Sequence, residues 1–154
     1  MEYLAVKWLH IISSTLLFGT GIGSAFCMLC TTLTRDTRAV AVVTRIVVIA
    51  DWLFTTPTAV IQPLTGFYLI HLAGFPMTSH WIRWSLALYA IAIACWLPVV
   101  WLQMRMRDVA VEASRGGADL PAAYWFYFRW WAGLGFPAFF AFLAIFWLMV
   151  AKTV

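Results

Sequence analysis

A chain of 154 residues that is 64% hydrophobic and only 10% charged has too little polar surface to dissolve as a compact globule. Its net charge of +4 is spread over short connections and forms no basic, aromatic-interleaved patch, which excludes nucleic acid as a partner. The composition predicts an all-α integral membrane protein in a lipid bilayer, a single domain over 1–154 with four spans of about 20 to 25 residues each.

The first apolar run, Leu4 to Thr32, exceeds the roughly 20 residues that cross a hydrocarbon core of about 30 Å, so a tilted or overhanging span is expected over 4–32. At about 100° per residue, His10, Ser14, Leu17, Gly21 and Ser24 share one stripe, while Trp8, Ile11, Ile12, Leu16 and Phe18 spread over the rest. The amino-terminal MEYLAVKW lacks a basic n-region and a cleavage site, so the first helix is expected to be retained. Gly19 and Gly23 have the small-xxx-small spacing of close helix contact. That contact is expected within the bundle, or, in the second reading, between two copies of the chain. Cys27 and Cys30 lie on one helix face with no basic neighbour to activate a thiol and no second pair to complete a zinc site. They read as structural.

TTLTRDTR marks a loop. The second run, 42–72, carries Pro57 and Pro63, tolerated as kinks inside a membrane bundle. Its polar residues Asp51, Thr55, Thr58, Gln62 and Thr65 recur at helical steps and predict one polar face turned inward. AGFPMTSH is a tight connection. The third run, 81–106, places Ser85, Tyr89, Ala92, Trp96 and Gln103 on one stripe, with a kink expected at Pro98. The stretch RMRDVAVEASRGGADLP is expected to be a loop with at most one helical turn. The fourth run, 124–150, opens with YWFYFRWW and contains Pro137.

Arginine and lysine set the expected topology. Arg35, Arg38, Arg45, Arg105, Arg107, Arg115 and Arg129 fall on one side and Lys7, Arg83 and Lys152 on the other. This predicts cytoplasmic first and third loops and both termini outside, in a bacterial inner membrane. His10, His71 and His80 then lie toward the outer leaflet.

An ionisable residue inside a span marks a functional site unless it is paired. His10 reads either as a packing residue bonded to a neighbouring helix or as an axial ligand to haem iron. His71 is the second ligand by depth, although it lies about half a turn round the helix from Gln62 and reaches the interior only if Pro63 rotates the outer half of the span. His10, His71 and His80 with Met77 also allow copper. Asp51 is the one carboxylate within a span. It is expected to pair with Arg129 or Arg45, or else to relay protons or hold a substrate charge. No phosphate loop, Ser/His/Asp grouping or HExxH occurs, which leaves hydrolase and nucleotide chemistry without support.

KWLHII in the first span, FTTP followed by an apolar stretch and TG in the second, HWIRWSLAL opening the third, and a proline-containing fourth run followed by lysine together resemble a superfamily of four-helix membrane proteins. It contains the HemJ-type protoporphyrinogen oxidases and the copper-resistance CopD-like proteins. More narrowly, the chain resembles an uncharacterised set of predicted bacterial integral membrane proteins within it. The resemblance implies a haem-b-binding bundle, with the family's first-span histidine matching His10. The third-helix lysine that HemJ-type proteins need for oxidase activity is replaced by Ser85, with Arg83 two residues earlier, so what carries over is haem binding and not protoporphyrinogen oxidation. The expected haem b site is His10 with His71 as metal ligands and Ser14, Gln62 and Tyr89 as pocket residues, serving electron transfer or oxidoreduction with a redox partner. Copper or small-solute handling, and a non-catalytic accessory subunit, are the other two readings.

Overall fold

The computed structural model describes residues 1–152; the last two residues of the expected domain lie outside the described residues. Four helices make up the described chain: α1 (Glu2–Thr34), α2 (Thr37–Ala73), α3 (His80–Arg115) and α4 (Ala122–Ala151), each apolar and long enough to cross a membrane. No strand occurs among the described residues. At 1.5 Å per residue these helices run about 45 to 55 Å, well beyond a 30 Å hydrocarbon core.

The surplus is largest at the arginine end. α2 begins earlier than its apolar pattern does because Asp36 caps it, its Oδ1 accepting from the N–H groups of Arg38 (2.9 Å) and Ala39 (3.2 Å). That satisfies two of the orphan donors of a helix start. The connection from α1 shrinks to Arg35 and Asp36, with Arg35 in the left-handed region at φ 59°. α3 likewise continues to Arg115, where the sequence predicts a loop. The physical reason is that RMRDVAVEASR contains no breaker before Gly116 and is amphipathic. Met106 and Ala110 are fully buried while Arg105, Asp108, Glu112 and Arg115 face outward. A charged, solvent-facing stripe ends an apolar run without ending a helix.

α2 is not uniform. Pro57 has no N–H to give the carbonyl of Leu53, and the backbone answers with a π-turn over Asp51–Thr55, in which the N–H of Thr56 bonds to Asp51 O. This is the usual way a single extra residue is absorbed in a helix. Pro63 leaves the carbonyl of Ala59 without its helical donor, and the Tyr89 hydroxyl of α3 supplies one. A proline defect in one helix thus becomes a tie to the next. Gly74, at φ 68°, closes α2 in the left-handed conformation that favours glycine, with Gly74 N–H on His71 O and Phe75 N–H on Ile70 O.

The helices pack α1 on α2, α2 on α3 and α3 on α4. A dry core of Met28, Val40, Val47, Leu102, Met106, Ala110, Tyr124 and Trp131 fills the arginine end. There the hydroxyls of Thr32 and Tyr124, both fully buried, share a hydrogen bond of 2.8 Å. Farther along, α1 and α4 meet through Phe18, whose ring lies 5.8 Å from Phe139 and 5.1 Å from Phe146. At the other end Lys152 lies over the Phe75 ring. Gly19 and Gly23 are exposed on the outer face of α1, with nothing near the position of an added Cβ. The contact expected from their spacing is therefore not made inside the bundle, because their stripe points away from α2.

Candidate functional site

The polar face read from α2 turns inward as expected: Asp51, Thr55, Thr58, Gln62 and Thr65 are all buried. Its outer half meets α1 around His10. The imidazole Nδ1 lies 2.7 Å from Thr65 Oγ1, and Nε2 lies 3.5 Å from the Gln62 amide nitrogen. Thr65 donates its own proton to Ile61 O at 2.8 Å. Thr65 Oγ1 is therefore left as an acceptor, which assigns the proton to Nδ1 and the lone pair to Nε2. The Gln62 amide lies alongside, with Oε1 on Ser13 Oγ, whose hydroxyl also reaches His10 O at 3.1 Å, and with the amide nitrogen toward Nε2. Gly66 completes the site. A Cβ there would sit 3.4 Å from His10 Cε1, so the glycine lets the ring lie close against α2.

Thr65 and Gly66 are the TG of the second span, and both act on His10. Ser14, expected in the pocket, is corrected by the structure: its hydroxyl bonds back to Ile11 O, and Ser13 faces Gln62 instead. The cause is angular. Three residues after His10 lies about 60° from its stripe and four about 40°, on opposite sides, and α1 crosses α2 on the side of Ser13. A serine at either position carries the same sequence signal, so Ser13 was not separable from Ser14 by spacing.

His71 stands exposed in the last turn of α2. The π-turn that changes the helical register lies before Gln62, and the helix beyond it is regular to Ala73, so no rotation brings His71 onto the inward face. His80 and Met77 are exposed as well, and among the described residues no three His, Cys, Asp or Glu side chains gather into a metal-holding group. Tyr89 is half-buried; its ring meets Phe142 edge-on and its hydroxyl is committed to Ala59 O. Ser85 is buried with no partner for its hydroxyl.

Below this cluster a cavity of about 430 Å³ separates α1 and α4. Leu17 and Ala59 line it one turn from Ser13 and Gln62, and Asp51, Thr55 and Gln103 line it farther along α2 and α3. Asp51 does not form the ion pair expected of it. Arg45 and Arg129 are exposed, and its Oδ1 accepts instead from Thr55 Oγ1 at 2.9 Å, across the π-turn. The ion pair present among the described residues joins Arg107 to its neighbour Asp108.

Four long apolar helices whose few polar side chains are turned inward define a multi-pass integral membrane protein. The chain belongs to the family described as predicted integral membrane protein (DUF2269), whose model matches residues 4–153. No curated protein and no solved structure matches it.

Proposed function

We propose that the protein holds haem b through His10 and serves electron transfer or oxidoreduction in the membrane. The observation that carries the proposal is the Nδ1–Thr65 hydrogen bond, with the threonine proton already spent on Ile61 O. A metal-binding histidine is typically held in this way, one ring nitrogen anchored and the other presenting its lone pair. The donor set offers one axial nitrogen, Nε2, while the cavity in the bundle is lined by Leu17 and Ala59, one turn from Ser13 and Gln62, and not by His10 itself. The contact of Nε2 with the Gln62 amide is at the outer limit of a hydrogen bond, so the Nε2 lone pair is weakly engaged and would be available to a metal ion. The set offers no second axial ligand, because His71 lies off the inward face.

In this reading Thr65 fixes the ring's tautomer and orientation, Gly66 leaves the ring space, and Ser13 lies against the Gln62 amide. Bound haem supplies one-electron chemistry, with its potential set by the axial ligand and by burial. The arginine-rich end faces the cytoplasm of a bacterium and both termini face outward, following the arginine and lysine asymmetry. The exposed Gly19 and Gly23 are the surface that a second copy of the chain would approach.

The test is the absorption spectrum of the full chain purified from haem-replete cells. A Soret band is expected, lost in His10→Leu while the helical circular dichroism is kept. A parent protein with no Soret band overturns the reading.

A further inference from the structure

Asp51 and Gln103 are a second buried polar pair, remote from His10 and given no role by the haem reading. They are only 3% and 4% exposed; the Gln103 side chain stands within reach of the Asp51 carboxyl, and Asp51 Oδ2 and Gln103 Oε1 make no well-formed hydrogen bond. Both residues line the 430 Å³ cavity between α1 and α4, whose volume lies within the range of small-molecule sites. No lysine, arginine or histidine lines it. The remaining wall is apolar and rich in aromatic rings, among them Phe18, Trp96, Trp131 and Phe142.

Poorly satisfied acceptors on the wall of an apolar cavity are costly, and a carboxylate there most of all, unless something brings donors and positive charge to them. Aromatic faces attract the same kind of group. We infer that this cavity binds a lipophilic organic amine as its ammonium ion, the N–H groups donating to Asp51 Oδ2 and Gln103 Oε1 and the apolar body lying among the aromatic rings. A neutral apolar molecule leaves both oxygens unpaired, and an anion adds repulsion from Asp51. Thr55 keeps Asp51 Oδ1 occupied, so Oδ2 is the oxygen free for a ligand.

Gly21 and Gly135 hold the wall back. Both line the cavity, and a Cβ at either meets nothing within 4 Å. A leucine at position 21 therefore enters open space and takes up part of the cavity without disturbing the packing of α1.

The probe is 2-(1-naphthyl)ethylamine, titrated calorimetrically into the full chain in lipid nanodiscs, with 2-(1-naphthyl)ethanol as its uncharged counterpart. Saturable binding of one amine per chain is expected, with the alcohol roughly tenfold or more weaker, the size of a hydrogen bond to a charged group. Asp51→Asn lowers amine affinity by about the same factor and leaves the alcohol unchanged. Gln103→Leu and Gly21→Leu each weaken the amine. His10→Leu leaves it intact, which separates this site from the haem reading. Equal affinities for amine and alcohol, an undiminished Gly21→Leu variant, or no saturable binding by the parent overturns the proposal. Should Asp51→Asn fail to fold, Gly21→Leu and the alcohol comparison decide the matter.

Discussion

The tie between Pro63 and Tyr89 can be tested by a double-mutant cycle. Pro63 deprives Ala59 O of its helical donor, and the Tyr89 hydroxyl takes over that carbonyl. Tyr89→Phe keeps the ring and its edge-on contact with Phe142, at 6.3 Å between centroids, and removes only the donor. The Ala59 residue is 7% exposed, so its carbonyl then lacks both water and a partner. Interhelical hydrogen bonds in membrane proteins contribute about 0.6 kcal/mol on average and up to about 1.7. A buried acceptor left unsatisfied costs about 1 to 3 kcal/mol. We therefore expect Tyr89→Phe to destabilise the protein by about 1 kcal/mol. In a Pro63→Ala background the new N–H at position 63 reaches Ala59 O along the helix, and the same tyrosine change costs close to nothing. The coupling should thus equal nearly the whole effect of the single change. The assay is reversible unfolding in mixed detergent micelles, followed by circular dichroism for the four proteins of the cycle. Equal losses from Tyr89→Phe in both backgrounds would refute the account, since the hydroxyl would then stabilise by some means unrelated to the missing helical donor.

Other perturbations probe the remaining links. Tyr124→Phe strands Thr32 Oγ1 in the dry core and should cost about 1 kcal/mol, whereas the double change with Thr32→Val should be near neutral because no polar group is left behind; equilibrium unfolding distinguishes them. Ala110 is fully buried on the part of α3 that the sequence reads as loop. Ala110→Leu should therefore overpack that end by about 1 to 3 kcal/mol, and an unchanged unfolding midpoint would contradict the helix extension. Gly66→Val pushes a branched side chain toward His10 Cε1 and should break the Thr65 contact, visible as a changed chemical shift of the imidazole in nitrogen NMR. Gly19→Leu with Gly23→Leu meets open space on α1 and should leave the monomer at least as stable, since each change also removes a mid-helix glycine penalty of about 0.5 to 1 kcal/mol. A large loss of stability in the monomer would show that those glycines pack inside the bundle after all.

The parts of the structure legible in the chain are those governed by one helix at a time. Hydropathy alone predicts four spans, and the helical steps between Asp51, Thr55, Thr58, Gln62 and Thr65 identify the buried face of α2. A run of apolar residues and a period near 3.6 carry that information without reference to any neighbour. The extension of α3 escaped for a related reason. The sequence marks where a helix leaves the hydrocarbon, and DVAVEASR leaves it while remaining a good helix in water.

What depends on two helices meeting is settled only in three dimensions. Whether Ser13 or Ser14 faces Gln62, whether His71 joins His10, and whether Asp51 finds an arginine are questions of crossing angle and helix register. Stripe membership leaves those open by a residue or half a turn. Pro57 shifts that register through a π-turn upstream of Gln62, and the tie from Tyr89 to the carbonyl that Pro63 leaves open shows the same dependence. The sequence by itself determined which side chains cannot face lipid; only the tertiary structure decided which of them satisfy one another, because a hydrogen bond closes within a few tenths of an ångström and helical periodicity resolves a direction only to tens of degrees.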